Sequence, residues 1–156
     1  MLNVETTTGP TSEQMVRQQA MALLAQASGR RLGELWAAWP DRPPYHRVRG
    51  PETGLVMVRG RAGGGGNPFN LGEATVTRAT VRLEGDEIGH AYCLGRDGDK
   101  VVIAACFDAL LQRDPSAVEA LVLAPLRAEL AAADQLKRDE TAATRVNFFT
   151  MVRGDD

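Results

Sequence analysis

Arg59 and Arg61 stand either side of one glycine, and four more glycines follow at Gly63, Gly64, Gly65 and Gly66. Asn67, Asn70, Glu73 and Arg78 come next within the same stretch, GLVMVRGRAGGGGNPFNLGEATVTR, from Gly54 to Arg78. Guanidinium groups bind carboxylate or phosphate oxygens through paired, charge-assisted hydrogen bonds. Successive glycine amides can form an anion-binding nest. Asparagine and glutamate can orient a substrate or a partner residue. Glycine is costly in chain entropy, so four in a row point to positive φ angles or a close backbone approach. The plainer reading is a loose hairpin loop, which the glycines alone fit equally well.

The familiar phosphate motifs do not match. A Walker A loop needs Lys and Ser/Thr after its glycines; here Asn67-Pro68 takes that place. A dinucleotide fingerprint needs a strand, a turn and a helix, whereas this loop leads into a second β-prone run. No Ser/His/Asp or Cys/His constellation is evident. His46 and His90 are far apart in sequence and read as structural or surface residues. Cys93 and Cys106 form no CxxC pair, so a metal centre is not expected and reduced, buried thiols in a cytoplasmic setting are.

The elements that must position the loop follow from patterning. Thr11-Ser12-Glu13-Gln14 reads as a capping box, and residues 1–10 before it as a disordered tail ahead of one domain, 11–156. Val16, Ala20, Leu23, Leu24 and Ala27 share a helical face, with Gly29 as the expected stop. Leu32, Leu35, Trp36 and Trp39 suggest a short second helix. Its tryptophans read as core or interface anchors rather than a base-stacking platform, because no basic cluster interleaves them. In Tyr45–Pro51, Arg47 and Arg49 alternate, which would place both on one side of an extended chain. Strands are predicted at about Gly54–Arg59, Ala74–Leu83 and Ile88–Gly95, the last two joined by a Gly85-Asp86 turn. A helix is expected from about Lys100 to Gln112. Asp108 within it is either a rim carboxylate or the buried partner of a strand arginine. Asp114-Pro115-Ser116 opens another helix that Pro125 kinks or divides, and Leu126 to Ala143 is helical by composition. The β-branched, aromatic end, TRVNFFTMVRG, suggests a last strand. The fold class is therefore α+β: a small antiparallel sheet of three to four strands flanked by N-terminal and C-terminal helices.

With 156 residues, the chain is long enough to bury a sizeable core. Its net charge of −2 argues against general nucleic-acid binding or attachment to an anionic membrane. Sixteen Arg and only two Lys include seven Arg between Arg47 and Arg96, against five acids, so the middle of the chain is mildly basic. No signal-peptide pattern and no membrane-length apolar run is present in the sequence.

RGPETGLVMVRGRAGGGGNPFNLGEATVTR, GHAYCLGRD, FDALLQ and VNFFTMVRG together resemble the PhnG family, the G subunit of the bacterial carbon–phosphorus lyase core complex. The resemblance runs from about Met15 to Gly154. It implies a cytoplasmic role in phosphonate catabolism beside PhnH, PhnI, PhnJ and PhnL-type subunits. It further implies support for a transferase that joins the ribose triphosphate of ATP, used with magnesium, to an alkylphosphonate and releases adenine. Radical cleavage of the carbon–phosphorus bond would belong to the J subunit, and no cofactor is assigned to this chain. Two roles stay open. In one, Arg59, Arg61, Arg78 and the glycines meet the nucleotide or phosphonate. In the other, the chain is a non-catalytic scaffold for the I subunit, anchored through Phe148, Phe149, Arg153, Trp36 and Trp39.

Overall fold

A computed structural model of the chain describes residues 9, 11–61, 63 and 65–144. Helices α1 (Ser12–Gln26) and α2 (Gly29–Ala38) precede three strands, β1 (Tyr45–Arg61), β2 (Pro68–Leu83) and β3 (Ile88–Leu94). Helices α3 (Gly98–Arg113) and α4 (Pro115–Val118), a π-helical segment (Glu119–Leu123) and α5 (Ala124–Ala143) complete the described chain. The sheet is antiparallel in the order β1-β2-β3. The α+β class is as the patterning predicts, with three strands among the described residues. The candidate fourth strand and the candidate anchors Phe148, Phe149 and Arg153 lie outside the described residues.

Helix α3 is the centre of the molecule. Val101, Val102, Ala104, Ala105, Phe107 and Leu110 are all buried. A helix that is apolar on every side must be covered on every side. The sheet covers one face through Ala79, Val81, Leu83, Ala91 and Cys93, while α1 and α2 supply Ala20, Leu24, Ala27 and Leu32. Trp36 and Trp39 are half-buried and meet the Phe107 ring edge-on, with centroids 5.5 and 5.8 Å away. Buried Thr77, Ala79, Val81 and Leu83 alternate along β2 with exposed Arg78 and Arg82, the mark of a sheet covered on one side.

The α1 capping box forms as expected: Thr11 Oγ1 accepts the Gln14 amide, and Gln14 Oε1 accepts the Thr11 amide. Gly29, however, does not end α1. The helix stops at Gln26, Ser28 caps α2, and Gly29 is the first residue of α2. A side chain there would collide with the Asp97 carboxylate, so the glycine serves close packing rather than a helix stop.

Two strands are longer than their sequence patterns suggest. β1 begins at Tyr45 rather than Gly54, and its pairing shifts between Arg47 and Arg49 and between Arg49 and Glu52. Gly50 takes φ +74° and the Gly50–Pro51 peptide is cis. An edge strand tolerates proline because its outer side has no ladder to complete. The shift also separates the two arginines: Arg47 lies opposite Val81 and Arg49 opposite Thr80, on different faces. β2 begins at Pro68 rather than Ala74 because β1 pairs with it along that whole length.

The stretch is divided next to Pro125, as expected: a π turn separates α4 from α5, and Pro125 lies in the first turn of α5. Its ring would press on the Leu121 carbonyl in a regular α-helix. The π turn over Glu119–Leu123 widens the helix there, with the Ala124 amide bonding to the Glu119 carbonyl.

Asp108 resolves as the buried alternative, with a partner from elsewhere. Its carboxylate accepts Arg17 Nε at 2.8 Å, Arg17 Nη2 at 2.6 Å and the His90 amide at 2.8 Å. The arginine comes from α1, not from a strand. A bidentate guanidinium plus a backbone amide satisfies both carboxylate oxygens, which a charge at 1% exposure requires. The same bond raises the Arg17 pKa.

Candidate functional site

The two long strands outrun the third. β3 pairs only with Val76–Arg82 of β2. Beyond it, Gly54–Arg61 and Pro68–Thr75 continue as a two-stranded arm. The arm is clamped at its root. Thr77 Oγ1 bonds to the Gly95 carbonyl at 2.7 Å and lies 3.0 Å from Thr53 Oγ1, while the Gly95 amide bonds to the Thr75 carbonyl at 2.9 Å.

The arm gathers most of the sequence-derived candidates at its far end. Arg59 lies opposite Asn70, Gly60 opposite Phe69 and Arg61 opposite Pro68. Arg59, Arg61, Asn67 and Asn70 are exposed. Gly63 takes φ +60°, the left-handed geometry that glycine adopts freely. Gly65 is exposed and Gly66 half-buried, while Gly64 lies outside the described residues. Glu73, opposite Met57, sits further back toward the root.

Among the described residues no carboxylate lies within ion-pair distance of Arg59 or Arg61. No general acid or base among the described residues pairs across the arm with either of them.

Arg78 does not join that end. It faces Glu52 at the root, with Nη2 to Oε2 at 3.0 Å, and Arg49 shares the same carboxylate at 3.1 Å. Arg49 first, then Arg78, holds the Glu52 carboxyl below its ordinary range. Eight residues of strand separate Arg78 from Asn70, about 25 Å at ~3.3 Å per residue. Arg78 borders a hollow of about 220 Å³ with Glu52, Val76 and Tyr92.

Sequence reading missed the Arg17–Asp108 pair. A signal existed: Arg17 falls on the same helical stripe as buried Ala20, Leu24 and Ala27, and a charge on an apolar stripe needs a buried partner.

Residues 15–154 match the family model described as phosphonate metabolism protein PhnG. The chain belongs to the PhnG family. It is also 57% identical over 145 residues, 90% of each chain, to the alpha-D-ribose 1-methylphosphonate 5-triphosphate synthase subunit PhnG of Rhizobium meliloti (strain 1021). That relative is, by its name, one subunit of a synthase. No helix among the described residues is long and apolar enough to cross a membrane.

Proposed function

We propose that this chain is the G-type subunit of the synthase that joins the ribose triphosphate of ATP to an alkylphosphonate, within the carbon–phosphorus lyase core complex. In that reaction a phosphonate oxygen bonds to ribose C1′ as the bond to adenine breaks. Adenine leaves with the electron pair and takes up a proton. Both substrates are polyanions, and ATP brings magnesium with it. The part assigned to this chain is electrostatic: Arg59 and Arg61 neutralise triphosphate or phosphonate oxygens, with the glycine amides beside them. Asn67 and Asn70 orient the bound group, with Glu73 behind them. PhnH, PhnI and PhnL-type subunits complete the synthase, and cleavage of the carbon–phosphorus bond is left to PhnJ. The observation that carries this reading is a pair of arginines, free of any described carboxylate, at the exposed glycine end of an arm.

A scaffold role for the I subunit is the second reading. It is favoured by the large apolar side chains exposed along the same arm, Leu55, Met57 and Leu71 among them.

Adenine release from ATP and methylphosphonate separates the two. The companion subunits are assayed alone, with the wild-type chain, and with the chain carrying Arg59→Ala and Arg61→Ala. Activity restored by wild type but not by the double variant, which still co-purifies with its partners, supports the anion-binding role. Full activity with the variant leaves the scaffold role. No dependence on the chain overturns both.

A further inference from the structure

The arm and the body share one strand, yet they show different surfaces. Along the body, the outer face of β2 is polar, with Arg78 and Arg82 exposed. Along the arm both faces carry exposed apolar side chains, with Glu73 the one acid among them. Leu55 and Met57 continue the face of Thr53, which is the helix-side face because Thr53 meets buried Thr77. Val58 lies on the opposite face. There the register shift at Val58/Arg59 leaves Leu71 as an extra residue folded over Gly60, with Phe69 opposite Gly60. These five side chains are 41–63% exposed. A ribbon that merely lay on a surface would need one apolar face. Two-stranded ribbons are also marginally stable alone, and contiguous exposed apolar area marks an interaction site.

We infer that the arm inserts between two apolar walls of a companion subunit, which covers both of its faces along about 25 Å, eight residues at ~3.3 Å each. This deepens the proposed function, since it assumes that the chain works inside a multi-subunit synthase. Charge selects the occupant. Along the arm, Gly54–Arg61 and Pro68–Thr75, the charged residues are Arg59 and Arg61 toward the tip and Glu73 toward the root. The receiving cleft is therefore negative toward its floor, from its own carboxylates or a bound polyanion. A second copy of this chain fits less well, because each arm carries two arginines against one acid, Glu73, so two arms together would hold four arginines against two acids. β2 adds an open edge from Pro68 to Ala74, where β3 has already ended, so the cleft wall can also supply a strand.

The test is co-purification with the co-expressed companion subunits. One variant changes one face (Leu55→Glu with Met57→Glu). Another changes the opposite face (Val58→Glu with Leu71→Glu). Each is expected to reduce recovery of the chain with its companions by about ten-fold or more, the scale of losing a central apolar anchor. Hydrogen–deuterium exchange of the wild-type chain, free and assembled, gives a readout that no variant can confuse. Slower exchange in the assembly across residues 54–61 and 68–75 is expected. Loss of binding from one face only would mean that the arm lies on a surface, and would overturn the inference. So would unchanged recovery with both variants, unchanged exchange, or a wild-type chain that dimerises through the arm and still co-purifies when the dimer is broken. Adenine release is scored separately. A chain that docks by its arm but is not needed for activity defeats the functional reading and leaves the insertion standing.

Discussion

The body around α3 and the arm beyond β3 solve opposite problems with the same strand. In the body, β2 buries Thr77, Ala79, Val81 and Leu83 against a helix with no open side. In the arm, residues Pro68–Glu73 of that strand are all exposed. One region is complete within the chain, and the other is built to be completed. Changes in the body should therefore cost stability, and changes in the arm should cost association or activity while leaving the melting temperature nearly unmoved.

The sharpest test of the body is Gly89→Ala. A methyl group there would run into the Ala105 carbonyl and reach 2.6 Å from the Ala109 amide, both on α3. Backbone atoms of a packed helix cannot yield cheaply, so a loss of about 3 kcal/mol or more is expected. That corresponds to a fall of about 10 °C in thermal unfolding. A change within 2 °C, about 1 kcal/mol or less, would mean that β3 and α3 are less tightly joined than described.

Arg17→Ala comes next. It leaves Asp108 buried with only the His90 amide, and about 2–3 kcal/mol should be lost in urea unfolding. Arg17→Lys should recover only part of this, because one ammonium cannot bond both carboxylate oxygens as the fork does. Equal stability of both variants and wild type would remove the pair from the body's supports.

In the arm, Leu55→Ser should change unfolding free energy by no more than about 0.5 kcal/mol, as for an ordinary surface site. A large loss would mean that the arm is already packed in the isolated chain, and the comparison would collapse.

The smallest effect is a pH dependence at the β2–β3 turn. Arg113 bonds both oxygens of Glu87 at 2.8 and 2.6 Å and, with a backbone hydrogen bond, lowers the carboxyl from 4.5 to about 2. A carboxyl depressed in the folded state favours folding fully above its unfolded value. That contribution fades as pH falls from about 4.5 toward 2. Thermal melts of wild type and Glu87→Gln should therefore differ most above pH 4.5 and converge near pH 2. A constant difference would exclude the ion pair as its source.

What was legible in the sequence, and what was not, follows the same division. The body elements declare themselves through local chemistry: Thr11 and Gln14 cap α1, Asp114 caps α4 and Gly85-Asp86 turns the hairpin. The alternation in β2 identifies the buried face. Boundaries failed where a distant partner overrode local preference. Pro51 and Gly54 argue against a strand, and pairing with β2 carries β1 through both. Pro68, Asn70 and Gly72 argue against β2, and β1 holds it extended. Gly29 looks like a helix stop because nothing local reveals Asp97 beside it. For the site, the clustering of Arg59, Arg61, Gly63, Asn67 and Asn70 was legible because they lie within one hairpin. The separation of Arg78 was not, since it depends on how far the strands run. Asp108 announced its need for a partner, but choosing Arg17 required knowing which helix covers α3.

The root of the arm sets how well its tip can be aimed. A beam held at one end wanders most at the other, and its wander depends on the stiffness of the mounting. Here the mounting is a short chain of hydroxyl and backbone bonds, Thr53 to Thr77 to Gly95, at the line where three strands become two. β2 passes through that line as one continuous member, half of it embedded and half projecting. The guanidiniums near its end are therefore placed by two small threonines some 25 Å away, at ~3.3 Å per strand residue. Thr77→Val would fill the same space and remove both hydroxyl bonds, trading a fixed pointer for a loose one without touching either arginine.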